Sequence, residues 1–182
     1  MNKLGITLMI GLILSFCGNL FLLSFIGVND CKEVKQTLHF ETIELADYNM
    51  VTDTYDYYTL ASNFYDISDY TNTIFYCEKS RKVSSEYSQK LRDIKAEYPD
   101  KLNDALTIRR EMIEVEIEYL FALYESCEYI ESASRSYEQE DYDMGAASIE
   151  GQNDAISKHD ELVEDYYNLE SKYNKAKRLM LE

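Results

Sequence analysis

The chain has no tryptophan, one proline, six glycines and two histidines in 182 residues, and no charged side chain between Leu4 and Val28. Four of the glycines (Gly5, Gly11, Gly18 and Gly27) fall in that uncharged stretch, so everything after it makes do with Gly145, Gly151 and Pro99. Glycine and proline supply most tight turns, and their scarcity excludes an all-β domain. It also excludes a glycine-rich phosphate loop. His39 and His159 each lack a Glu three residues before them, which excludes the paired Glu-x-x-His motif of carboxylate-bridged di-metal bundles. The four cysteines, at 17, 31, 77 and 127, form no CxxC or Cys/His cluster that would suggest a metal site. No strand–turn–helix nucleophile motif occurs, so neither catalysis nor a cofactor is expected.

What is present divides at residue 28. Only Thr7, Ser15, Asn19 and Ser24 are strongly polar between Leu4 and Val28. A helix of that length spans roughly 37 Å, enough to cross a hydrocarbon core of about 30 Å with some tilt. A cleaved secretory signal would have a shorter apolar run closed by small residues, and none closes this one. Leu14-Ser15-Phe16 before Cys17 places a bulky Phe where a lipoprotein signal needs a small residue. The expectation is a retained membrane anchor over 4–28, preceded by a three-residue tail. Lys3 ahead of the apolar run resembles a signal anchor, which implies the N-terminus inside and the domain outside; Lys32 and Lys35 leave the opposite orientation open.

All 34 acidic residues and 17 of the 18 basic ones lie from Asp30 onward, so that part carries a net charge of −17. Such a surface repels nucleic acid and anionic headgroups. Its 17 tyrosines suit helical bundles with partly wet cores, because Tyr buries a ring while its hydroxyl reaches water or a partner.

Periodicity predicts an all-α domain over 29–182. Ala155, His159, Leu162, Tyr166, Leu169, Tyr173, Ala176 and Met180 alternate steps of four and three, the spacing of a coiled-coil-like seam over about 143–180. A helix over about 100–139, started by Pro99-Asp100, carries one seam through Ala105, Ile108, Met112, Val115 and Tyr119. A second face runs through Leu102, Leu106, Ile113, Leu120, Leu123, Cys127 and Ile130, so this helix is expected to be central. Ile113–Tyr119 alternates like a strand, but the surrounding helical pattern overrides it. Weaker seams predict helices over about 69–97 (Ile74, Cys77, Ser80, Ser84, Tyr87, Leu91, Ile94) and about 32–66, broken at Ser68–Asn72, which is rich in capping residues. Four such helices make an antiparallel up-down bundle, with a three-helix arrangement as the alternative. Tyr119, Leu123, Leu162, Tyr166 and Leu169 are the expected core.

Asp141, Asp143 and Glu150 around Gly145 superficially resemble a calcium loop. An EF-hand needs Gly sixth and Glu twelfth, which this spacing misses, so it reads as an acidic helix–helix turn. His159, alone on an apolar seam, reads as a hydrogen-bonded core residue. Cys77 and Cys127 fall on seams of neighbouring helices. With the turn centred near Pro99, Cys127 would sit about 9–12 Å further along the axis, beyond the roughly 7 Å Cα separation that a disulfide spans. With the turn centred near 102 the two would align, so a disulfide and a pair of buried thiols both stay open. Cys31 is left to cross-link two copies just above the membrane.

Lys3-Leu4-Gly5-Ile6-Thr7-Leu8-Met9 resembles the start of a type IV prepilin. The resemblance covers seven residues, has Ile10 where prepilins carry an acidic residue, and implies a pilin-like surface subunit with a β-sheet domain. The helical domain as a whole resembles the periplasmic sensor domains of chemoreceptors, without their second span and signalling region. That resemblance implies a small-ligand-binding bundle. The leading expectation is a membrane-anchored helical interaction module of a prokaryotic cell envelope. With so short a tail inside, it would signal only through a protein partner in the membrane. A cavity with convergent polar groups would favour the sensor reading, and a solid core with an exposed apolar patch the interaction module. No nucleic-acid partner is expected; lipid is met through the anchor.

Gly11, Ser15 and Asn19 recur every four residues and share one face of the expected anchor, where small residues let a second helix approach and an amide gains a partner worth about 1–2 kcal/mol. Gly11→Leu combined with Asn19→Leu is therefore expected to weaken association in a membrane two-hybrid assay while leaving insertion unchanged. Equal association by parent and double variant would reduce the anchor to a simple tether.

Overall fold

A computed structural model describes residues 50–98 and 103–181, all within one compact unit. The expected anchor at 4–28, the face Gly11/Ser15/Asn19, Cys31 and the first part of the expected first helix lie outside these residues. The described residues are helical throughout: α1 over 50–66, α2 Tyr70–Ala96, α3 Asp104–Glu138 and α4 Tyr142–Leu181. Among them there is no strand, and so no part of the sheet that the prepilin resemblance implies. No described helix is long and apolar enough to cross a membrane.

Two of the three connections repeat one device. Ser68 (φ 59°) and Glu140 (φ 62°) take the left-handed conformation. Behind each, the next amide reaches back across the helix end, Asp69 to the Phe64 carbonyl and Asp141 to the Ser136 carbonyl, both at 2.9 Å. This is a Schellman closure with Ser or Glu where Gly is usual. The residue that closes one helix then caps the next. The Asp69 carboxylate accepts from the Asn72 amide at 3.2 Å, and that of Asp141 from the Met144 amide at 3.1 Å.

The start of α3 differs from the one expected at Pro99-Asp100. Asn103 is the N-cap, accepting from the Leu106 amide at 2.8 Å. Gly145 is likewise not in a turn. It lies buried in the first turns of α4, where a Cβ would stand 2.7 Å from the Tyr137 ring. That ring packs among those of Tyr65, Tyr70 and Tyr142 at the same end of the bundle.

Contacts fix the helix directions. Between α2 and α3, Ser84 Oγ donates to the Leu120 carbonyl at 2.9 Å, Tyr87 to Glu116 at 3.0 Å, and Lys95 pairs with Glu114 at 2.7 Å. One number rises as the other falls, so the two helices are antiparallel. Between α3 and α4 the same holds for Ser132 with Ser148, Tyr119 with His159, and Arg109 with Tyr166. α1 lies against the other three. Its Thr54 carbonyl accepts from Ser80, while its Tyr58 hydroxyl meets Ser126 and Gln152.

α3 is the helix buried on most sides, as its two apolar faces predicted. Leu106, Ile113, Leu120, Leu123 and Ile130 are each at most 1% exposed. Three clusters form around it: Leu91, Ile113 and Leu120 toward α2; Cys77, Cys127, Ile130 and Ala61 under α1; Ala105, Met112 and Tyr173 toward α4. Of the five residues expected in the core, Tyr119 and Leu123 are buried, whereas Leu162, Tyr166 and Leu169 are only half-buried. The seam of α4 is correctly phased, but Leu162 and Leu169 pack at the edges of these clusters, and Tyr166 lines a cleft rather than a closed core. Leu120→Ala should cost about 2–5 kcal/mol. Leu162→Ala should cost about 1–2 kcal/mol, since less area leaves contact and no closed cavity forms. Urea denaturation of both variants checks this ordering; equal losses would put Leu162 in the core.

Candidate functional site: a tyrosine-lined cleft over a buried Arg–Glu pair

The second apolar face of α3 skips two positions. Leu102, Leu106, Ile113 and Leu120 follow the seam, and Arg109 and Glu116 stand in its gaps, seven residues apart. Both are buried, Arg109 at 8% exposure and Glu116 at 4%. A carboxylate without partners in that position would be prohibitive. Glu116 Oε1 accepts from the Tyr87 hydroxyl at 3.0 Å and from the Tyr119 hydroxyl at 3.2 Å. The Arg109 guanidinium adds electrostatic attraction. Burial still dominates and pushes the Glu116 carboxyl above its ordinary value, with Arg109 and the two hydroxyls pulling it back only in part.

Arg109 is held by α4. Its Nη1 lies 3.5 Å from both the Tyr166 hydroxyl and the Met112 sulfur, and the guanidinium sits 5.9 Å from the centre of the Tyr173 ring. An arginine over an aromatic face gains a cation–π attraction on top of its hydrogen bonds.

Above this pair opens a cleft of about 820 Å³. Arg109, Met112 and Glu116 of α3 form its floor; Tyr166 and Tyr173 of α4 and Tyr55 of α1 form its walls. Tyr167, which is 62% exposed, stands at the rim with Asp56, Glu170 and Lys177. The volume lies within the range of about 300–1,000 Å³ typical of small-molecule sites.

A polar chain runs along the α1 wall. The Asp160 carboxylate accepts from His159 Nδ1 at 3.0 Å, which leaves Nε2 to accept from the Tyr55 hydroxyl at 2.7 Å. Burial, followed by the charges of Tyr167, Glu116 and Asp160, pushes the Tyr55 hydroxyl well above the ordinary tyrosine value. It therefore remains a protonated donor. The Tyr119 ring stands edge-on to both His159 and Tyr166, with centroids 5.9 Å apart in each case. His159 is thus a hydrogen-bonded histidine on the seam, 7% exposed.

The other residues singled out in the sequence lie elsewhere. Asp141 caps α4, while Asp143 and Glu150 lie along it rather than in a loop. Among the described residues, no group of three or more His, Cys, Asp or Glu side chains could hold a metal ion. Cys77 and Cys127 are free, buried thiols brought together beneath α1. Nothing in the sequence reading pointed to Arg109 or Glu116, although the gaps they occupy were visible in the pattern. No family model, curated protein or solved structure matches the chain.

The raised carboxyl of Glu116 has a defined sign. The folded state holds its proton more tightly than the unfolded chain, so this stabilisation is complete at low pH and is lost as pH rises through the folded value. As pH rises above the ordinary carboxyl value of 4.5 and through the raised folded value, the parent should lose stability relative to Glu116→Gln, which cannot ionise. Parallel stability–pH profiles in chemical denaturation would show that Glu116 does not titrate in this way.

Proposed function

We propose that the helical domain binds a small ligand in the tyrosine-lined cleft and does so tethered to a cell membrane by the segment 4–28, as an extracytoplasmic sensor-like module. The observation that carries this reading is the convergence of six tyrosines and a buried Arg–Glu pair on one cleft of about 820 Å³. Such a site combines ring faces for packing with a few fixed polar groups for orientation. Burying the Arg109–Glu116 pair carries a desolvation cost, and a ligand would find both side chains already fixed in the floor of the cleft. The ligand is uncharged or cationic. Tyrosine faces attract cations, Asp56 and Glu170 stand at the rim of the cleft, and the strongly acidic domain repels anions. No chemical step is proposed: Tyr55 is a donor locked by burial, and His159 is engaged on both nitrogens.

The expectation of a protein partner persists within this reading, since a ligand-binding domain tethered beside a bilayer can pass its bound state to a neighbouring membrane protein. A pure interaction module remains the second reading, supported by Phe75 and Phe121, which are 47% and 50% exposed on α2 and α3. The up-down four-helix bundle serves both readings: α1 supplies one wall of the cleft, and the antiparallel α3–α4 pair supplies the floor and the other wall.

Ligand-observed NMR on the full chain in detergent, with a panel of aromatic amines, neutral heterocycles and aromatic carboxylates, tests the proposal. Saturable binding of amines or neutral rings is expected. Tyr166→Ala should weaken it by about 2–10-fold, the worth of one aromatic contact. Binding that favours carboxylates, or that ignores Tyr166, would remove the cleft as the site.

A further inference from the structure

The register of α2 on α3 places a second pair of groups face to face. Ser84 Oγ bonds the Leu120 backbone carbonyl at 2.9 Å. A side chain as short as serine reaches a neighbouring backbone only where two helices lie very close. Seven residues back from Ser84 is Cys77, and seven residues on from Leu120 is Cys127. Seven residues are nearly two full turns, so each step returns to the same face. The thiols therefore meet one heptad along the same close contact, at a turn centre near residue 102. The cysteines, both 0% exposed, share a cluster with Ala61 and Ile130.

We propose that Cys77 and Cys127 are a disulfide-forming pair that staples α2 to α3 when the domain meets an oxidising compartment. The pairing is independent of the cleft and of any ligand. The co-reactant is a small-molecule disulfide. One cysteine thiolate attacks one of its sulfurs and expels the first thiolate. The thiolate of the other cysteine then attacks the protein sulfur of the mixed disulfide and expels the second. Two protons pass from the cysteines to the two expelled thiolates. The pair is oxidised by two electrons, and the small disulfide is reduced to two thiols. Because neither sulfur is exposed, exchange takes place as the chain folds or when α1 lifts away from the cluster.

The test uses the full chain carrying Cys17→Ser and Cys31→Ser, refolded in detergent from denaturant in a glutathione redox buffer. Peptide mapping is expected to find one intramolecular bridge between the peptides holding Cys77 and Cys127, with the mass of two hydrogens lost. The melting temperature should rise on oxidation and return on reduction. A control that also carries Cys77→Ala and Cys127→Ala should show no redox-dependent shift. Recovery of both residues as free thiols, as separate glutathione adducts or as links between molecules would overturn the proposal. So would a bridge that lowers the melting temperature, since a staple across an existing close contact should not strain the fold.

Discussion

The buried carboxylate of Glu116 is the constraint from which much of the arrangement follows. An acid at the centre of the most enclosed helix survives only if donors are brought to it. Tyr87 comes from α2 and Tyr119 from α3 itself, and Arg109 stands two turns away on the same face. Rotating α2 by one residue, about 100° of helix, would swing Tyr87 away and leave the carboxylate short of a partner. Arg109 in turn draws Tyr166 and Tyr173 of α4 toward it. Glu116 thus ties the rotation of α2, and Arg109 that of α4, to the polar positions on the face of α3.

The two flanks of α3 are built from different materials. Around the thiol pair, toward α2 and α1, the contact face is small: Ser80, Ser84, Ser126 and the two cysteines are all at most 2% exposed, and two of the serine hydroxyls bond directly to neighbouring backbones. Around the cleft, α3 meets α4 through tyrosines standing edge to face. The thiol pair thus lies among small side chains and the cleft among rings.

The turns carry a cost that the sequence conceals. Ser68 and Glu140 adopt the conformation that glycine takes most readily. In each case the Asp that follows both closes one helix and caps the next. Using one residue for both tasks reduces each connection to three residues and keeps the helices tightly folded back. The one glycine near these turns, Gly145, serves a different end by making room for the Tyr137 ring.

Much of the fold was legible because helical spacing is a local property. Seams at steps of three and four, with glycine and proline almost absent, determine helices and their inward faces without reference to any neighbour. The two-faced apolar pattern of α3 announced its central place, and Asp69 within Ser68–Asn72 announced a cap. The spacing of the α4 seam was also legible, but not the depth to which Leu162, Tyr166 and Leu169 would sink, since burial depends on what stands opposite. Arg109 and Glu116 showed only as gaps in an apolar face. Their meaning required Tyr87, Tyr119, Tyr166 and Tyr173, which lie 3 to 64 residues away along the chain and meet them only after packing. Register was undetermined for the same reason: Asn103 rather than Pro99 opens α3, the turn centre moves to near residue 102, and only then do Cys77 and Cys127 align. The sequence by itself determined which residues are helical and which sides turn inward, because those follow from backbone geometry within a few turns. Tertiary structure alone decided the cleft, the charge pair and the thiol pair, because each joins groups from separate helices whose axial offset no local pattern encodes.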